Sequence, residues 1–366
     1  MTWNQWLELL SLAERTDPIQ SELLQTNSQR FVGDVIEHAD RELLAIGDLQ
    51  QGLAVCTSPT DGGEISSLTV YENGRWHELF YRANDFNKID GWPGRAPWLW
   101  PIAGRCYVAG HFDEECTWKW DGVVRAMKRH GFARHQVWNP IPPTMAIDTV
   151  TSAAELRSEN NYRDIYPFEY KLTTKQQFSN DGLRITYRVE ASPENLGAMP
   201  FCLGLHFTFN FSSWWGNDWL AGIVQGLGSC AWRTDGRAQP SSRFDLPSDA
   251  IALSDSALNS TIIPARAGVS LKLVSPDGDR SLAMWFEESS GINDGDLTWV
   301  SYVDPQQRFF CLEPWVGWPN AINSGRGRVE LQPGQSWEFR LQLSVNALRS
   351  AARQKSSSYD TKKSLA

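Results

Sequence analysis

Hydrophobic positions along the chain follow two periods. Near the start, Trp3, Trp6, Leu7 and Leu10 recur at helical spacing behind Thr2 and Gln5, which are placed as a capping box, so the pattern predicts a short amphipathic helix. Asp17-Pro18 restarts the pattern as a cap with a first-turn proline and predicts a second helix. The apolar face of this segment is expected to pack on the outside of the main body, with a partner-binding face as the alternative. From about Ala45 the period becomes two. Leu68 and Val70 run into the turn signal Asn73-Gly74, and Leu183, Ile185, Tyr187 and Val189 alternate after Asn180-Asp181-Gly182. Trp337, Phe339, Leu341, Leu343 and Val345 alternate in the same way after Pro333-Gly334. Many strands joined by such turns, with little helical pattern between them, predict an antiparallel all-β architecture. No fixed repeat and no linker breaks residues 45–346. The expected organisation is a helical extension over 1–44, one large β domain over 45–346, and a polar tail over 347–366. The tail carries Ser356-Ser357-Ser358 and Lys362-Lys363 and is expected to be disordered.

Composition narrows the function without naming it. With 366 residues, 41% hydrophobic and 21% charged, the chain is long enough to bury a large core. Its 34 basic against 43 acidic residues give a net charge of −9, with no basic stripe, so nucleic acid and anionic membrane surfaces are not expected partners. Cys56, Cys106, Cys116, Cys202, Cys230 and Cys311 form no close pair, which fits reduced thiols in a cytoplasmic protein better than a disulfide framework. No basic-then-apolar leader opens the sequence, and no run reaches about 18 apolar residues, so neither secretion by that route nor membrane spanning is expected. Eighteen tryptophans are the unusual number. Most are expected in the core, and a few on one concave surface would make stacking platforms.

Four stretches carry candidate chemistry. In Cys311-Leu312-Glu313-Pro314-Trp315-Val316-Gly317-Trp318-Pro319 an apolar run delivers one carboxylate to a proline-stiffened loop walled by Trp315 and Trp318, a suitable place for a polyhydroxylated ligand. Gly94 to Arg105 sets Arg95 and Arg105 around an aromatic, proline-bounded strand; the guanidinium fork suits sugar oxygens as well as carboxylates. Arg129-His130-Gly131-Phe132-Ala133-Arg134-His135 places a glycine beside His130, where backbone can approach closely. Its two histidines, five apart, share neither a helix face nor a strand face, so a metal pair is not expected there. Met199 to Phe211 is a strand whose one imidazole, His206, sits among apolar neighbours. Taken singly, each of these has an ordinary structural explanation.

Taken together, in this order, they resemble the galactose mutarotase-like (aldose 1-epimerase) superfamily. The motifs are His-Gly-Phe-Ala-Arg at 130–134, Gly-x-His at 204–206 and Glu-Pro-Trp-x-Gly at 313–317, with a weaker Tyr166-Pro167-Phe168-Glu169-Tyr170 segment between. The resemblance extends from about Gly91 to Val345 and is closer to the bacterial epimerase-like and hexose-6-phosphate mutarotase branches. It implies a β-supersandwich with the sugar in an open cleft and an enzyme that interconverts the α and β anomers of an aldose, free or phosphorylated, without metal or cofactor. By that resemblance Glu313 is the general base and His206 the general acid, while His130, Arg105, Arg95, Arg134 and Trp315 bind the substrate. Two positions depart from the family pattern. Phe207 replaces the usual proline after the histidine, and the family's substrate-binding aspartate has candidates in Asp245, Asp249 and Asp255, of which Asp245 is taken first.

The chemistry fits these roles. Opening a cyclic hemiacetal removes a proton from the anomeric hydroxyl and gives one to the ring oxygen; rotation and reclosure yield the other anomer. A carboxylate of ordinary pKa near 4.3 can accept, and an imidazole near 6.5 can be tuned to donate. On this reading the acid and base face each other across a gap that a sugar ring fills, both at the cleft surface. The alternative function is a non-catalytic carbohydrate-binding or sensing protein on the same fold. A hydrolase or lyase is a weaker third reading, because two carboxylates facing one bond are usual there and only Glu313 stands out.

Overall fold

The N-terminal helix Trp3–Ala13 forms where the pattern places it, and its capping box is closed in both directions. The Thr2 backbone N–H donates to Gln5 Oε1 at 2.8 Å, and the Gln5 N–H donates to Thr2 Oγ1 at 3.3 Å. In this computed structural model of the chain, residues 2–13, 30–83, 85–87, 92–111, 116–288 and 293–347 are described. The expected second helix at Asp17-Pro18 and the polar tail beyond residue 347 lie outside them. Trp3, Trp6, Leu7 and Leu10 are buried against Ile36, Leu43, Ala45, Ala54 and Cys56. At about 1.5–3 kcal/mol per large side chain, this contact outweighs the weak propensity of so short a helix and holds it on the outside of a sheet.

That sheet is a five-stranded antiparallel meander: Phe31–His38, Arg41–Asp48, Leu53–Ser58, Glu64–Glu72 and Arg75–Glu78. Strand structure therefore begins at Phe31, well before Ala45. The earlier start escapes a period-two reading because Phe31–His38 buries only its first and sixth residues. The Asn73-Gly74 signal is a two-residue hairpin turn with both φ values positive, 53° and 82°, between the paired residues Glu72 and Arg75.

Two larger antiparallel sheets make the body. The nine-stranded sheet has Ser336–Asn346 and Gly182–Ala191 side by side at its centre, and Asn180-Asp181 is the turn that joins Tyr170–Ser179 to Gly182–Ala191. The eight-stranded sheet runs from the edge strand Pro240–Asp245 through Cys230–Thr234, Thr261–Pro264 and Leu297–Asp304 to Phe309–Val316, then to Leu203–Leu205 and Trp98–Leu99, with Phe207–Phe209 also on Phe309–Val316. One continuous apolar cluster takes Leu183, Ile185, Leu341 and Leu343 from the first sheet and Ile263, Leu297, Phe310 and Leu312 from the second. The face-to-face packing of large antiparallel sheets is the all-β architecture expected from the alternation, in the supersandwich form that the resemblance implies. The cysteines of the described residues are all free thiols.

Candidate active site

Glu313 is delivered by the strand Phe309–Val316, whose eight residues are all buried. A period of two is still present. Phe310, Leu312 and Val316 enter the apolar core, whereas Phe309, Cys311, Glu313 and Trp315 line an open cavity of about 400 Å³. That volume lies in the range of small-ligand sites. The antiparallel neighbours Val300 and Tyr302 pair with Glu313 and Cys311 and line the same space. Both faces of the strand are covered, one by core and one by the cleft.

Glu313 is held from two sides. Trp315 Nε1 donates to its Oε2 at 3.1 Å, and His206 Nε2 lies 3.2 Å from its Oε1. The indole reaches this position because residue 204 is glycine: a Cβ there would stand 2.7 Å from Trp315 Cδ1. His206 sits between the short strands Leu203–Leu205 and Phe207–Phe209, anchored by its backbone N–H to Pro97 O at 3.0 Å. Thr208 Oγ1 is 3.4 Å from His206 Nδ1, and Trp92 Nε1 donates to that hydroxyl at 2.9 Å. The Trp92 ring also lies against the imidazole, with centroids 4.1 Å apart. The ring of His206 is therefore fixed on three sides with Nε2 toward the carboxylate.

His130 is placed by a backbone exchange. Its N–H donates to Gly104 O at 2.8 Å, and the Gly104 N–H donates to His130 Nδ1 at 3.1 Å. Since Nδ1 accepts, the proton of the neutral ring is on Nε2. That Nε2 is buried, has no hydrogen-bond partner among the described residues, and belongs to a residue lining the cavity. His130 and Gly131 both adopt positive φ, 64° and 72°, and a Cβ on Gly131 would fall 2.1 Å from Trp100 O. Glycine after His130 is thus a requirement of close backbone approach.

Burial sets the electrostatics. It pushes Glu313 up to about 8, against the Trp315 hydrogen bond and the charges of Arg129 and Arg134. It holds His206 well below the usual imidazole range, with Arg134 and Arg129 acting in the same direction. Burial, then the neighbouring His206 and arginines, keeps His130 neutral as well. The carboxyl of Glu313 and the imidazole of His206 are in contact and titrate as a unit that retains one proton at neutral pH. Two expectations are corrected by this. The carboxylate does not have its ordinary pKa, and acid and base are neighbours within hydrogen-bonding distance and mostly buried, with no ring-sized gap between them. The reason lies in the sheet: Phe207 pairs with Leu312 and Thr208 with Cys311, which sets His206 beside Glu313.

The other sequence candidates divide. Arg105 lines the cavity, as does Trp315. Arg134 is only partly exposed and lies with its guanidinium 4.7 Å over the Trp92 ring; burial brings it down to about 10, so it stays charged at neutral pH. Arg95 is not a lining residue. It is buried, with Nε donating to Glu64 and Nη1 to Asp85 O at 2.6 Å. Trp318 does not wall the cavity either, because its Nε1 donates to Gly295 O at 3.0 Å and the Arg326 guanidinium covers its ring at 3.2 Å. Asp245 ends the edge strand, 84% exposed and 3.7 Å from Arg243. Asp249 is exposed, and Asp255 caps a short turn by accepting the Ala257 N–H at 2.7 Å. None of these three aspartates lines the cavity. Asp235 and Asp304 do, each with Oδ1 also accepting two backbone N–H groups of its own turn.

Arg129, Trp92, Thr208 and Cys311 complete the site and were not singled out from the sequence. Thr208 and Cys311 had a signal, since each stands two residues from a candidate on the same strand face. Arg129 adjoins His130 directly. Trp92 had none, because it precedes the strand and is brought in by tertiary packing alone.

Similarity to known proteins agrees with this architecture. The sequence model of the aldose 1-epimerase family matches residues 48–344. No curated protein sequence matches the chain. Among solved structures, the Slr1438 protein from Synechocystis sp. PCC 6803 superposes with a TM-score of 0.67 at 20% identity, covering 86% of this chain and 98% of that one. A galactose mutarotase related enzyme from Lactobacillus acidophilus gives 0.65 at 19% identity, over 86% and 98% of the two chains. Galactose 1-epimerase from Lactobacillus acidophilus NCFM gives 0.60 at 13% identity, again over 86% and 98%. At such identities the structures establish the shared fold, and the family match over most of the sequence adds the lineage: the chain belongs to the aldose 1-epimerase family.

Proposed function

We propose that this protein interconverts the α and β anomers of a neutral aldose of hexose size, with Glu313 and His206 as the acid–base pair. The observation that carries the reading is the 3.2 Å contact between His206 Nε2 and Glu313 Oε1 at the wall of a sugar-sized cavity, beside the unpartnered donor Nε2 of His130. At rest the one proton of the pair is on Glu313, and in the productive arrangement it has crossed the 3.2 Å contact to the imidazole. Glu313 takes the proton of the O1 hydroxyl while His206 gives its proton to O5, the C1–O5 bond opens, and the aldehyde is freed. Rotation about C1–C2 and the reverse transfers close the other anomer and return the pair to its starting state. A positioned acid and base each typically supply about a hundredfold to ten-thousandfold.

His130 Nε2 donates to a sugar oxygen, and Trp315 offers apolar ring surface to the C–H face of the pyranose. A neutral substrate is favoured over a phosphorylated one because Arg95 is committed to Glu64 and Arg134 lies over Trp92, while the arginines that do line the cavity, Arg105 and Arg129, share it with Asp235 and Asp304. A phosphate needs uncancelled cationic donors. The test is saturation-transfer NMR on purified protein with a panel of free hexoses, pentoses and hexose 6-phosphates. Anomer exchange above the spontaneous rate is expected with one or more free aldoses. Binding of a sugar without faster exchange would leave a sugar-binding protein, and exchange confined to the phosphates would overturn the choice of substrate.

A further inference from the structure

Cys311 lines the cavity but takes no part in the proton transfers of anomer exchange. It lies on the same strand face as Glu313, two residues away, with Tyr302 paired opposite it. Its Sγ is 3.9 Å from Thr208 Oγ1, the hydroxyl that also approaches His206 Nδ1. His206, Cys311 and Glu313 are all buried, and one ligand atom from each, imidazole nitrogen, thiol sulfur and carboxylate oxygen, lie within 4.8 Å of one another.

We infer that His206, Cys311 and Glu313 form a binding site for a thiophilic divalent cation of the zinc class, and that occupancy of this site shuts off anomer exchange. The donor set selects the class. Sulfur with nitrogen and one carboxylate suits zinc or cobalt(II), whereas magnesium and calcium require oxygen donors. Tetrahedral zinc keeps its donors roughly 3.3–3.7 Å apart, so the 3.2 Å edge from His206 to Glu313 is already close, and the three donors lie within 4.8 Å of one another. Thiolate and carboxylate together cancel the two positive charges, as a buried ion requires. Binding releases the thiol proton. The loss of activity rests on the catalytic reading above; the binding does not. The cation would hold the proton donor and the proton acceptor at once, leaving neither for O1 or O5.

Binding and inhibition are therefore measured separately. Cobalt(II) titrated into the full-length protein is expected to give a one-to-one complex with a thiolate-to-cobalt charge-transfer band, displaced by one equivalent of zinc. Cys311→Ser should abolish the band and weaken binding at least tenfold, while Cys230→Ser, at a partly exposed thiol away from the cavity, should keep both. Near-ultraviolet circular dichroism checks that Cys311→Ser is folded. Absence of the band in wild type, or its persistence in Cys311→Ser, overturns the site. In the exchange assay, zinc should stop the wild type and should need at least tenfold higher concentration to stop Cys311→Ser. Zinc that binds through Cys311 but leaves exchange untouched overturns the inhibition. A wild type inactive on every sugar would overturn the catalytic reading and leave the cobalt result to judge the site.

Discussion

Glu78, half-buried, and Glu313, buried, have similar electrostatics and opposite surroundings. Glu78, at the end of the five-stranded sheet, is pushed up to about 7 by burial; Glu313 is pushed up to about 8 for the same reason. Around Glu78 every donor belongs to its own neighbourhood. The Ser67 hydroxyl donates to Oε2, and the N–H groups of Leu68, Leu79 and Phe80 donate to Oε1 at 3.2, 3.0 and 2.9 Å. Around Glu313 the partners among the described residues are an indole and an imidazole, and the carboxyl lines the cavity. A carboxyl enclosed by backbone donors closes a fold, whereas one held by two side chains at a cavity wall is available for proton transfer. The shifted pKa alone does not separate the two cases.

The largest effect that tests this contrast is on catalysis. Glu313→Gln keeps the shape of the side chain but cannot take a proton, and kcat should fall by roughly a hundredfold or more. Exchange NMR at saturating sugar checks this, and an unchanged rate would remove Glu313 from the mechanism. Because the side chain is buried, a modest drop in Tm is expected alongside.

Exchange should also depend on pH in a definite direction. The productive pair holds one proton, and that proton leaves as pH passes about 8, so kcat should fall about tenfold per unit above that value. A rate that keeps rising to pH 10 would contradict a shared proton.

Glu78 should respond in stability instead. Glu78→Gln loses an acceptor for one or more buried donors and should cost about 1–3 kcal/mol in denaturant unfolding, with kcat nearly unchanged in the folded fraction. The sign of its pH dependence follows from the raised value. The folded carboxyl holds its proton up to about 7, whereas the unfolded one releases it near 4.5, so this contribution to stability is complete below about 4.5 and is lost as pH rises through about 7. Wild-type Tm should decline over that interval, and Glu78→Gln should decline less steeply.

Smaller still is the effect of a binding contact. His130→Asn should raise KM severalfold with little change in kcat, since the ring holds a sugar oxygen and moves no proton. Asp245→Ala should leave both constants unchanged and alter stability by less than about 0.5 kcal/mol, because its side chain is in solvent.

The sequence by itself determined the elements whose physics is local. The capping box at Thr2 and Gln5, the Asn73-Gly74 hairpin and the alternation of Leu183 to Val189 each depend on residues within about ten positions, and each formed as its pattern requires. The motif histidines, Glu313, Trp315 and Arg105 were legible only through the family resemblance of the motifs together, since each taken singly has an ordinary structural explanation. Which charged residue reaches the cavity was a different matter. Arg95 and Arg105 look equivalent along the chain, yet a buried partner thirty-one residues away, Glu64, takes one of them out of the site. Asp245 and Asp235 differ by only ten positions, but one ends an edge strand in solvent and the other stands in the turn beside the cleft. The strand of Glu313 reads as continuously apolar because core and cleft cover opposite faces, and only packing shows which face is which. Solvent exposure and charge partnership come from segments far apart in sequence, so tertiary structure alone decides them.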